Sequence, residues 1–129
     1  MKLSQILSQT NMNNFNIEKD IVRSNTLYLF KEKVRIHHSN IILLEAKGNY
    51  TVIHLKNGKR MMIAKTLKSL EEKLDNHHFY RIHRAFLINS NHLMNYNALL
   101  GEVLLTDNHI VSTSRRRKGE FEGRMVKCL

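Results

Sequence analysis

The 129-residue chain contains no proline, five glycines and a single cysteine, Cys128. One cysteine excludes an intrachain disulfide and a cysteine-based metal site. With no proline, no long Gly/Ser linker and no internal repeat, little divides the chain into separate domains. Its length suits one domain with a core of its own. No apolar run reaches the length of a membrane span. The opening MKLSQILSQTNMNNFN lacks the continuous apolar stretch of a signal peptide, so a reducing cytoplasm is the expected location and no membrane partner is expected. Aspartate is scarce: Asp20, Asp75 and Asp107 each stand alone in a polar or turn context. That leaves no acidic cluster for a phosphorylation-receiver domain, and no room for its alternating β and α elements beside the folded unit. Phosphorylation control would therefore require another protein.

Catalytic patterns are missing too. There is no H-E-x-x-H, P-loop or nucleophile elbow. The one close acidic pair, Glu71-Glu72, lies on a helix whose leucines form a core stripe. Eight histidines invite a metal or general-base reading, but His37-His38 and His77-His78 are adjacent pairs, which do not share a helix face. The expectation is exposed polar or phosphate-contacting histidines, no cofactor, no metal and no enzyme.

What the chain has is positive charge. Lys and Arg number 21 against 11 Asp and Glu, for a net charge of +10 and a pI of about 10.0. Such a balance favours a polyanion, nucleic acid first.

The chain to about residue 26 is rich in Asn, Ser and Gln; Leu3, Ile6 and Leu7 permit a short helix there, or the segment is a mobile arm. From Leu27 to the end, the pattern predicts one compact unit made mainly of short strands. Thr26 to Phe30 and "NIILLEA" read as strands. "NYTVIHLKNGKRMMIAK" is a hairpin, because Asn57-Gly58 suits a turn with positive φ at both positions. Thr51, Ile53 and Leu55 fall on one face of its first strand. "LGEVLLTDNHIVSTS" makes a second hairpin around Asp107-Asn108. Thr66 caps a helix whose Leu67, Leu70 and Leu74 form one stripe, with Lys68 and Glu72 outside. Further short helices are expected near Arg84 and Arg115.

Three basic constellations stand out. "AKGNY", with Lys47, Asn49 and Tyr50, breaks the pattern between two strands. "FYRIHRAFLIN" sets Arg81, His83 and Arg84 among residues suited to a core. Arg and His bind phosphate through charge-assisted hydrogen bonds, and Arg reads guanine through a two-pronged contact; Arg81 can alternatively pair with a carboxylate. "STSRRRKGEFEGR" holds Arg115, Arg116 and Arg117. From Ser112 to the end it carries six cations against two acids. Ser112, Thr113 or Ser114 can cap a helix whose first N–H groups suit a phosphate.

In order and spacing, "IILLEAKGNYTVIHLKNGK", "TLKSLEEKL", "FYRIHRAFLIN" and "VSTSRRR" resemble the LytTR family of bacterial DNA-binding domains, over about Leu27 to Phe121. The resemblance implies a mainly β fold of small antiparallel sheets with short helices, which reads the DNA major groove with loops and not with a recognition helix. It implies contacts from Lys47, Asn49 and Tyr50, from His83 and Arg84, and from Arg115 and Arg116. Ser114 and Arg117 adjoin this last group, and Arg81 is either structural or a backbone contact. It further implies transcription regulation by tandem or dimeric protomers on imperfect direct repeats of double-stranded DNA. Many members carry a receiver or a membrane sensor ahead of the domain. Here only a short segment precedes it, so a separate sensor or kinase-linked partner is one expectation. Other readings remain open: a nonspecific DNA- or RNA-binding module, a module for an acidic protein, and a His-dependent nuclease.

Overall fold

The computed structural model describes residues 25–74 and 78–128. The N-terminal helix expected on Leu3, Ile6 and Leu7, together with His77 and the side chain of Cys128, lies outside the described residues. The chain divides into two compact units at His37/His38.

The first unit contains one antiparallel hairpin, β1 (Thr26–Leu29) with β2 (Val34–His37), paired from Thr26–His37 to Leu29–Val34. Its turn places Phe30, Lys31 and Glu32 at positive φ, and Lys33 N–H closes it on the Phe30 carbonyl at 3.1 Å.

The second unit holds two antiparallel sheets and two helices. The strands are β3 (Ile41–Lys47), β4 (Tyr50–Leu55), β5 (Arg60–Ile63), β6 (Phe79–His83), β7 (Phe86–Asn89), β8 (Leu93–Asn97), β9 (Glu102–Leu105) and β10 (His109–Ser112). The helices are α1 (Leu67–Lys73) and α2 (Arg115–Cys128). One sheet has the order β5-β4-β3-β7-β6, the other β10-β9-β8. Both expected hairpins form. Asn57 and Gly58 lie at φ 65° and 75°, Asp107 and Asn108 at 62° and 63°. Asn and Asp tolerate this region because their short polar side chains bond locally. The two turns also meet: Asn57 N–H donates to Asp107 Oδ2 at 2.8 Å. Beside them Glu45 Oε1 accepts from His54 Nε2 at 3.0 Å, and the His54 ring packs edge-on against His109. Burial and the neighbouring His54 hold the His109 imidazole below its ordinary pKa.

Four features depart from expectation. Strands β2 and β8 carry too much polar sequence to show as strands. No helix starts near Arg84; that residue sits in the β6–β7 turn, because Phe86–Asn89 is claimed by pairing with β3. Strand β4 is covered on both faces, with Thr51, Val52 and Ile53 all buried, so one-sided alternation fails there. His38 and His92 are buried, not exposed. The His92 ring bonds the Thr106 hydroxyl at 2.9 Å and the Ser39 carbonyl at 2.7 Å, while His38 packs edge-on to Phe79. Both ring nitrogens of His92 are satisfied, which lets its imidazole sit among buried residues.

The core joins the two sheets through Ile42, Leu43, Ile82, Ile88, Val103, Leu105 and Val111. Phe121 of α2 enters it edge-on to both Tyr80 and Tyr96. Leu67, Leu70 and Leu74 are buried as their spacing predicts, and Thr66 Oγ1 caps α1 by accepting from Ser69 N–H.

Tyr96 anchors α2 a second time. Its hydroxyl donates to Glu122 Oε1 at 2.5 Å. Burial, then this bond and the Glu122 charge, push its pKa up to about 12. The folded state holds this proton more tightly than the unfolded chain, so the contribution is intact below the ordinary tyrosine pKa and is lost as pH rises towards 12. Ultraviolet titration of tyrosinate should show one tyrosine ionising near pH 12, absent in Tyr96→Phe. The Tyr96→Phe variant should also lose less stability than wild type across that range.

Candidate nucleic-acid interface

Two hairpin turns and one strand–helix junction form the site, all within the second unit. Lys47 and Tyr50 are the last paired residues of β3 and β4, joined by Gly48-Asn49 alone. A two-residue connection must reverse the chain abruptly, and Gly48 does so at φ 60°. Any side chain there would strain the turn although space is open around it. Lys47, Asn49 and Tyr50 are exposed as a result.

The second turn, Arg84-Ala85, links β6 to β7. Arg81 fastens it. Its Nε donates to the His83 carbonyl at 2.9 Å, its Nη2 to the Arg84 carbonyl, and its Nη1 to Glu71 Oε1 of α1 at 2.7 Å. A guanidinium offers five donors in a rigid fork, so a single side chain can bridge all three acceptors. Arg81 is mostly buried as a result, with its side chain 14% exposed. Its charge is largely committed to the turn. His83 folds back: its Nδ1 accepts from Ala85 N–H at 3.0 Å, and its ring tilts onto Phe86. An accepting Nδ1 places the ring proton on Nε2. Arg84, at the tip, is exposed.

The third segment begins where β10 ends. Ser114 is the N-cap of α2: its Oγ accepts from Arg117 N–H at 3.2 Å and its carbonyl from Lys118 N–H at 3.0 Å. Arg115 and Arg116 are exposed and Arg117 is half-buried. No acidic residue lies in this first turn. Three cations at the positive end of a helix dipole are destabilising by about 0.3–1 kcal/mol each, and an anion reverses that sign.

Two backbone hydrogen bonds bring these segments together. Ala46 N–H donates to the Ala85 carbonyl at 2.8 Å, joining the first two turns. Ser114 N–H donates to the Ile82 carbonyl at 2.8 Å, joining the third segment to the second. Ile82 is available because a bulge between Arg81 and His83 leaves it outside the β6–β7 register, on the edge strand of the sheet. Lys47, Arg84, Arg115 and Arg116 are thus carried on adjoining segments, a basic row at one end of the sheet.

The β5 end of the same sheet reaches this row as well. Thr51 Oγ1 donates to the Lys65 carbonyl at 2.7 Å, which sets the Lys65 backbone against Thr51, the residue after Tyr50. Sequence reasoning passed over Lys65. Carrying the Asn57-Gly58 register back along the hairpin to Thr51–Ile63 would have found it. Among the described residues no cluster of three or more metal-ligating side chains occurs, and no helix is long and apolar enough to cross a membrane.

The three acceptors of Arg81 make its replacement informative. Arg81→Met should cost about 1–3 kcal/mol in urea unfolding and speed amide exchange at Ala46 and Ala85. Arg81→Lys should rescue little, because one ammonium cannot reproduce the fork.

The sequence profile of the LytTr DNA-binding domain matches residues 31–125. Among solved structures, the chain is similar to the LytTr DNA-binding domain of a Bacillus cereus protein described as a methyl-accepting/DNA response regulator. The TM-score is 0.66 at 21% identity, covering 78% of this chain and 96% of that one. No curated protein matches. A profile match across most of the chain, on a fold of the same kind, means that this protein belongs to the LytTR family of DNA-binding domains.

Proposed function

We propose that this protein is a sequence-specific transcriptional regulator that reads the major groove of double-stranded DNA with its three segments. The convergence of those segments through the Ala46–Ala85 and Ser114–Ile82 hydrogen bonds carries the reading. A row of exposed polar tips on a rigid sheet can meet one groove as a unit, and a scaffold of this kind costs little ordering entropy on binding.

Roles follow from side-chain chemistry. Arg84, Arg115 and Arg116 offer two-pronged contacts to guanine or phosphate. Asn49 can pair with adenine. Lys47, the Tyr50 hydroxyl, His83 Nε2–H and the Ser114 hydroxyl serve as donors to the phosphate backbone. Arg117 adds charge behind them, and Arg81 acts through the turn it holds. A phosphate at the start of α2 relieves the repulsion among its arginines. A single-strand binder would stack bases on aromatic platforms, and the row offers Tyr50 as its one exposed aromatic among the described residues. Tandem protomers on imperfect direct repeats, and a separate sensor or kinase-linked partner, complete the proposal.

Selection from a random double-stranded pool should yield a repeated motif. Log affinity should fall on log salt with a slope of about −4 to −5, equivalent to about 4–6 phosphates per protomer. Arg84→Ala and Arg116→Ala should each weaken binding to the selected site by about 1–3 kcal/mol, and shift stability by less than about 0.5 kcal/mol. Salt-sensitive binding without a motif would leave only a nonspecific electrostatic footprint.

A further inference from the structure

The β8–β9 turn displays two leucines to solvent: Leu99 is 97% exposed and Leu100 67%. Isolated exposed apolar residues are ordinary, but this turn is not a loose tip. Leu100 N–H donates to Asn97 Oδ1 at 3.1 Å and Gly101 N–H to the Asn97 carbonyl at 2.8 Å. Lys118 Nζ, from the first turns of α2, donates to the Ala98 carbonyl at 2.7 Å. Thr113 holds the Gly101 carbonyl twice, from N–H at 2.7 Å and from Oγ1 at 3.0 Å. Gly101 itself sits at φ 65°, and a Cβ there would come within 3.1 Å of Thr113 Oγ1. Five hydrogen bonds and a required glycine fix an apolar tip in place.

Its neighbours say what that tip meets. Thr113 immediately precedes Ser114, and Lys118 lies one turn beyond Arg115, so the turn adjoins the third segment of the basic row. A second copy of a chain with net charge +10 would add positive charge to a place already rich in cations. Double-stranded DNA brings phosphates for the arginines and, in its major groove, one exposed apolar group on base edges, the thymine 5-methyl. Leu99 has no donor or acceptor on its side chain and cannot stack as an aromatic does.

We infer that the β8–β9 turn is a fourth DNA-reading segment, in which Leu99 packs against a thymine methyl group beside the bases read from α2. The inference rests on the major-groove reading above and adds a preference for thymine at one flanking position. Leu99→Ser, at a solvent-exposed site, should keep the wild-type urea midpoint.

The test measures both proteins on the selected site and on a series in which each thymine in turn is replaced by uracil, which removes only the methyl group. Wild type should lose about fourfold in affinity at one position, the worth of one buried methyl-sized contact. Leu99→Ser should bind the unmodified site correspondingly weaker and show no further loss at that position. Equal binding of the two proteins to every duplex overturns the inference, as does a uracil effect of the same size in both. A variant that binds one repeat normally but loses cooperativity on two repeats also overturns it, and assigns the tip to a second protomer. If wild type selects no motif at all, the major-groove reading itself falls, and this inference with it; the wild-type arm alone shows that outcome.

Discussion

The central ladder between β3 and β7 holds together the end of the sheet that carries the proposed DNA-contacting turns. Leu43 lies opposite Ile88, Leu44 opposite Leu87 and Glu45 opposite Phe86. These are the middle strands of five, and their leucines and isoleucines are almost fully buried. Because β3 leads into one turn and β7 follows another, antiparallel pairing puts both turns at the same end of the sheet. Both faces of these strands are covered, with Ile41 to Leu44 and Leu87 to Asn89 all buried, so close packing on either side holds the ladder and with it the spacing of the two tips. Neighbouring strands lie about 4.8 Å apart, so contacts from adjacent turns fall at fixed, short intervals.

The remaining segments attach to that ladder through polar contacts that would look incidental in isolation. The bulge at Ile82 exposes a carbonyl on an edge strand, and the chain leaving β10 closes on it. Phe121 and Tyr96 then hold α2 down, so that its arginine-bearing start is fixed in place. Arg81 spends its guanidinium on the second turn and on Glu71 of α1, coupling helix, strand and turn. The same chemical feature therefore has two uses in one short run: Arg81 is mostly buried and organises the turn, while Arg84 three residues later is exposed at its tip. Both are arginines in the same basic stretch, and only burial and partners separate them.

Charge placement here opposes folding stability and suits the proposed contact with DNA. Arginines at the start of α2 meet the positive end of the helix dipole, with no carboxylate in that turn to offset them. Lys118 lies close behind, its ammonium turned to the Ala98 carbonyl. A protein selected for stability alone would place acids there. Local rules broken without an evident structural gain commonly mark functional sites, which is why this helix start belongs to the proposed DNA-contacting surface.

Much was legible in the residues. The two turns with adjacent positive φ values, the capped leucine helix, the β3 strand and the basic helix after β10 follow from period-2 alternation, 3.6-residue spacing and the chemistry of Asn, Asp, Gly and Ser. The family likeness was carried by the same four stretches. Strands β2 and β8 were not legible, because their polar residues pair through backbone groups that composition does not report. Nor were the buried histidines: His92 depends on the Ser39 carbonyl, 53 residues away in the chain, and His38 on the ring of Phe79. The sequence alone determined which residues are basic and which short segments turn. Only tertiary structure decided which of them share a surface, because that depends on strand pairing between distant segments. It alone distinguished the guanidinium that holds a turn from those left to meet a partner.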